Sequence, residues 1–150
     1  MAVLADRAEL VYSPFVDTKE YPTDVDIVLV EGAVTNSDNL EMAHQLRANT
    51  KVVVSFGDCA VTGNVTALRN PLGDPASMLE RVFVVAPDHG AMPDAEGIVP
   101  RLLPQAQPLH QVVDVDVFMP GCPPSAERIK AAVEQLLDGD DQRRFGYRFG

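Results

Sequence analysis

The sequence predicts a single α/β domain, residues 1–150, built on a doubly wound parallel sheet. Short apolar runs rich in valine and isoleucine recur along the 150 residues. Segments with helical spacing separate them, and several runs end in glycine-containing turns. The length suits one core, since a chain of this size buries about 68–70% of its unfolded surface. Hydrophobic residues at 46% and charged residues at 23% fit an ordinary globular domain rather than a disordered acidic tail.

Four runs read as strands. Glu9–Phe15 is the first, with Pro14 ending it or placing it at an edge. Val25–Glu31 follows, with the continuous β-branched character of a strand covered on both faces, and Lys51–Gly57 is of the same kind. Asp114–Met119 is the fourth, closed by Pro120 and Gly121. Between the second and third, a helix from Ser37 or Asp38 places Asn39, Met42, Ala43 and Leu46 on one face, with Asp38 and Glu41 spaced as a capping box. A shorter helical pattern runs from about Pro75 to Val84. The last helix follows Pro123 and Pro124, with Ser125 as cap, an apolar stripe of Ala126, Ile129, Val133, Leu136 and Leu137, and Gly139 as stop. The proline-rich stretch Ala86–Gln111 reads as a loop with a short extended piece near Val99–Leu103. Residues 140–150 read as a flexible tail.

Charge and cysteine content narrow the function classes. Twelve basic against 22 acidic residues give a formal net charge of −10. That argues against nucleic acid or an anionic membrane, both of which need clustered Lys and Arg, and is compatible with a protein partner or electron transfer. No apolar run approaches the ~20 residues of a membrane span, and the first residues lack a basic stretch followed by an apolar one, so the cytoplasm is expected. Cys59 and Cys122 are the whole thiol inventory. Two cysteines form at most one disulfide, cannot complete a zinc site without histidines, and fall short of the four thiolates a cubane iron–sulfur cluster takes. His44, His89 and His110 lack metal-ligand spacing and read as structural.

Ligands of such sheets bind beyond the carboxyl ends of the strands, and three strands end there in unusual sequences. These are Glu31-Gly-Ala-Val34, Gly57-Asp-Cys-Ala-Val-Thr-Gly63 and Pro120-Gly-Cys-Pro-Pro-Ser125. Gly57 and Gly121 let a bulky ligand approach the main chain, whose free amides can donate to sulfur. Taken singly, each cysteine reads as a small buried hydrophobe. As a pair at corresponding strand ends, they point to a ligand or redox role. Glu31 ends a buried strand, so it is either paired and functional or simply exposed at the terminus. The Gly57–Gly63 turn lacks the ending of a phosphate loop, no nucleophile elbow occurs, and no catalytic residue is assigned.

Three segments carry a resemblance: Val30–Thr35, Ser55–Asn64 with Ala67–Pro71, and Val117–Ala126. Together they resemble the small subunit of [NiFe] hydrogenases, most nearly the cytoplasmic, NAD-reducing type. Tyr12–Glu20 and Val99–Pro104 fit that subgroup, and the likeness runs from about Ala5 to Gly139. The Pro-Gly-Cys-Pro-Pro element is shared with the related cluster-bearing 20 kDa-type subunit of respiratory complex I.

The resemblance implies a flavodoxin-like electron-transfer subunit carrying one [4Fe–4S] cluster. Cys59 and Cys122 match two of its four thiolate positions, and Glu31 matches a glutamate beside the cluster. The implied partners are a large subunit holding the nickel–iron centre and a diaphorase module with flavin and further clusters. The family opens with a strand leading to the other two cysteines. The present sequence is therefore expected to be N-terminally truncated, lacking the central strand between the Glu9 and Val25 strands. Two alternatives stand beside this reading: a complex I-like cluster subunit, and a cofactor-free interaction domain in which both cysteines are structural.

Overall fold

Consecutive β-branched residues build a sheet with two covered faces. The computed structural model describes residues 6–86, 90–93 and 97–139. Its elements in chain order are β1 (Val25–Glu31), β2 (Val34–Asn36), α1 (Ser37–Asn49), β3 (Thr50–Phe56), α2 (Gly57–Thr62), α3 (Pro75–Leu79), β4 (Leu102–Gln107), β5 (Val117–Met119) and α4 (Ala126–Leu137). Tight 3-10 turns occupy Asn64–Leu72 and Leu109–Gln111, and a wider turn, Glu80–Val85, prolongs α3. The expected tail falls outside the described residues, as does His89.

Three of the four expected strands form one parallel sheet in the order β1-β3-β5. Side chains alternate across it, so neighbours on β3 enter different cores. Val53 packs with Val34, Ala43 and Leu109 on one side, joined by Val28 and Val30 of β1. Val54 packs with Val117, Met119 and Ala132 on the other, where Ile129 and Leu136 supply the stripe of α4. That two-sided burial is why these strands read as continuous apolar runs.

The first expected strand, Glu9–Phe15, is not one. Residues 9–15 pair with no strand among the described residues, because Pro14 lacks a donor and Ser13 draws the following amides into a turn. Ser13 Oγ accepts from Phe15 N at 3.1 Å, and Ser13 O from Val16 N at 3.2 Å. Phe15 is left 97% exposed. Among the described residues, β1 has β3 on one side and no strand on the other, and Leu29 remains 41% exposed at that edge.

The loop expected between Ala86 and Gln111 holds a longer strand than the sequence signals. Its extended piece is β4, three residues further on and antiparallel to the short β2. The register slips between Val34↔Gln107 and Asn36↔Leu102, within the stretch that contains Pro104, which has no amide to offer a ladder. Asn70 fixes this strand from the side. Its amide donates to Ala106 O at 2.9 Å while its oxygen accepts from Ala106 N at 2.8 Å.

The helix signals need one correction. The cap of α1 is Asn36, whose oxygen accepts from Asn39 N at 2.8 Å, and not Asp38. Because β2 runs straight into the helix, the last strand residue takes the capping position and Asp38 falls in the first turn. Ser125 does cap α4 through Arg128 N. Backbone and Ser125 hydrogen bonds hold the Glu127 carboxyl below its usual range.

Candidate functional site

The register aligns the three strand ends. Glu31 lies opposite Phe56, and Phe56 opposite Met119, so one row crosses the sheet at its carboxyl edge. The residue after each of these turns away from the sheet: Gly32 with φ 97°, Gly57 with φ 80°, and Pro120 leading into Gly121 with φ 142°. This places Glu31, Cys59 and Cys122, the three chemistry-bearing residues marked in the sequence, on one rim.

Gly57 begins α2 directly from β3, and Cys59 lies in that first turn, half-buried and free. Cys122 is exposed and free on the turn that leaves β5. Glycine is required at both bends by the positive φ, and at 121 by space as well. A Cβ there would stand 2.6 Å from Pro124 Cα. At Gly57 the nearest atom to such a Cβ is the carbonyl oxygen of Gly121, at 3.5 Å, so the two turns pass close to one another.

Two polar side chains join these turns. Asp58 N donates to Gly121 O at 2.9 Å, and Asp58 Oδ1 accepts from Gly121 N at 2.6 Å. Asn64, held at φ 36°, directs its amide to Cys122 Sγ at 3.8 Å. From α4, the Arg128 guanidinium donates to Pro120 O at 2.9 Å and braces the same turn from behind. None of Asp58, Asn64 or Arg128 stands out as a site residue in the sequence. Asp58 carries the one available signal, an acid set between a turn glycine and a cysteine, where a carboxylate commonly accepts from a nearby amide.

Glu31 is exposed, and no described residue pairs with it. His44 is exposed on α1, and His110 packs edge-on against Phe118 with ring centres 5.7 Å apart. Among the described residues, no group of three or more His, Cys, Asp or Glu converges as a metal site. Two free thiols at glycine-opened turns suit thiolate ligation of an iron–sulfur group, yet supply only two of the four ligands a cubane takes.

A sequence model of the family described as NADH ubiquinone oxidoreductase, 20 Kd subunit, matches residues 1–136. The chain belongs to this family. Among curated relatives of this 20 kDa-subunit member, a subunit of the F420-non-reducing hydrogenase of Methanothermobacter thermautotrophicus is 38% identical over 144 residues, covering 91% of this chain and 45% of the relative. The delta subunit of the NAD-reducing hydrogenase HoxS of Cupriavidus necator is 33% identical over 142 residues, covering 91% of this chain and 66% of the relative. A chain in the crystal structure of an NAD+-reducing [NiFe]-hydrogenase in the H2-reduced state superposes with a TM-score of 0.88 at 32% identity. That match covers 99% of this chain and 82% of the other. The 20 kDa-subunit member thus spans about half the length of the first relatives it matches. Among its described residues, no helix is long and apolar enough to cross a membrane.

Proposed function

We propose that this chain is the electron-relaying small subunit of a cytoplasmic, NAD-reducing [NiFe] hydrogenase, with Cys59 and Cys122 as two thiolate ligands of a [4Fe–4S] cluster. The observation that carries the reading is the single row Glu31–Phe56–Met119, which delivers both cysteine turns to one rim of the sheet. Similarity to hydrogenase subunits over nine-tenths of the chain supports it.

When bound, the cluster supplies reversible one-electron storage. The chain's own residues hold and shield it. Cys59 and Cys122 present sulfur from two turns, Gly57 and Gly121 keep side chains out of the approach to the main chain, and Asn64 offers a donor to one sulfur. Glu31 stands on the same rim, facing the large subunit that holds the nickel–iron centre. With the cluster bound, this subunit would relay electrons between that subunit and a diaphorase module carrying flavin and further clusters. The 150 residues contain two cysteines, half of the four thiolates a cubane takes.

Iron and acid-labile sulfide in the native complex, with its hydrogen-dependent reduction of NAD, test the assignment. Cys59→Ser and Cys122→Ser are each expected to remove the cubane absorption and paramagnetic signal. Unchanged iron, sulfide and spectra in both variants would overturn it. The family's own description favours a second reading, a cluster subunit of an NADH:quinone oxidoreductase. NADH-dependent quinone reduction without hydrogen turnover would select that one. Absence of iron and sulfide would select a cofactor-free interaction domain.

A further inference from the structure

We propose that Asp58 is a positioning residue for the cluster site, its carboxylate setting the relation between the Cys59 and Cys122 turns. The inference rests on the reading that both thiols bind the cluster. The β3–β5 ladder ends at Phe56↔Met119. Two residues further along each strand, Asp58 N donates to Gly121 O at 2.9 Å, as a further rung of the ladder would. Beyond this point Gly57 has turned the backbone into α2, and the Gly121 amide finds its acceptor in a side chain. Asp58 Oδ1 accepts from Gly121 N at 2.6 Å. The side chain thereby adds one rung beyond the sheet, between the residues that immediately precede the two cysteines.

The geometry leaves that rung little slack. Gly121 has no room for a Cβ against Pro124, and Arg128 holds the carbonyl of Pro120 from the other side. Loss of the acceptor would leave the Gly121 amide without this partner and the Cys122 turn tied to Asp58 by the Asp58 N–Gly121 O bond alone, with the sheet itself intact. Charge and acceptor are separable, because asparagine keeps the oxygen and discards the charge. A nearby negative charge disfavours the more negative, reduced state of the cluster. Removing that charge alone should make reduction easier.

The experiment uses the native complex carrying Asp58→Ala or Asp58→Asn, with iron and sulfide content, the low-temperature paramagnetic spectrum and the reduction potential as readouts. Asp58→Ala is expected to lose most of its iron and sulfide, or to keep them with an altered spectrum. Asp58→Asn is expected to stay loaded, with a potential shifted upward. A purely structural role would leave the potential of Asp58→Asn at the wild-type value, and that result overturns the proposal even if Asp58→Ala fails to assemble. Full loading of Asp58→Ala with an unchanged spectrum overturns it too. A loaded wild type separates both results from failure of the cluster reading, whereas a wild-type complex without iron and sulfide defeats that reading and this proposal together.

Discussion

The side-chain amide of Asn64 donates to Cys122 Sγ across 3.8 Å, although the two residues belong to turns that leave different strands. An N–H aimed at a ligand sulfur stabilises negative charge there and raises the potential of the group it binds. Asn64 sits at φ 36°, where side chains other than Asn and Asp are strained. Asn64→Gly removes the donor while suiting the backbone. In the native complex this variant is expected to stay folded and loaded, with a lower cluster potential. A redox titration followed by paramagnetic resonance checks it, and an unchanged potential would show that the amide does not act on the sulfur.

Gly121→Ala should be costly for a different reason. Its Cβ would meet Pro124 Cα at 2.6 Å, a backbone atom that cannot swing aside, at a φ of 142°. Relief requires moving the turn, which strains the Asp58 rung as well. A loss of about 2 kcal/mol in stability is expected, in line with other forced backbone positions. Urea unfolding of the variant against wild type measures it, and a midpoint within error of wild type would sink the argument.

The opposite end of the same ladder is closed in the same manner. Asp116 N donates to Val53 O at 3.0 Å, and Asp116 Oδ2 accepts from Val53 N at 2.8 Å and from Arg47 Nη1 at 2.6 Å. A three-residue strand is short for a stable pairing, and β5 is held to β3 by an aspartate side chain at each end. Asp116→Ala leaves the Val53 amide and the Arg47 guanidinium without this acceptor. The pair is partly exposed and Arg47 keeps the carbonyls of Asp114, Thr50 and Lys51 as acceptors, so the expected cost is about 1–3 kcal/mol, mostly from the Val53 amide. Asp116→Asn, which preserves an acceptor, should recover a large part of it in the same unfolding assay.

How much of this could be read from sequence depends on where each signal lies. The runs around Val28, Val53 and Phe118 announced the sheet, because burial on both faces leaves an unbroken apolar record. The positions of Cys59 and Cys122 at strand ends followed from that, and the register places the two turns on a shared rim. The run at Glu9–Phe15 misled, since an extended apolar segment becomes a strand only where a neighbour offers a ladder. The β2–β4 pair was hidden because three residues give no periodicity and Pro104 masks the partner. Asp58, Asn64 and Asp116 were illegible for another reason. Each bonds to a residue far away in sequence, and no local pattern encodes such a partner.

Tyr21 ties the segment before β1 to the start of β3, and that tie sets an alkaline limit. Its hydroxyl lies 2.7 Å from Thr50 Oγ1 in a buried contact, and its ring meets Tyr12 edge-on with centres 5.1 Å apart. Burial, outweighing the Thr50 hydrogen bond, raises the phenol above its ordinary value. The folded state therefore holds this proton more tightly than the unfolded chain does. Its contribution to stability is fully present below the ordinary tyrosine value of about 10 and is lost as the pH rises through the higher folded value. Lys51, raised by its hydrogen bonds to Asp26 and Asp24, acts in the same direction from the surface, so wild type alone does not isolate the phenol. Tyr21→Phe does. At neutral pH the variant is expected to be less stable by about 1 kcal/mol through the lost hydrogen bond. Above pH ~10 its stability should fall less steeply than that of wild type. Urea unfolding at a series of pH values checks both, and parallel curves for the two proteins across that range would exclude Tyr21 as the titrating group.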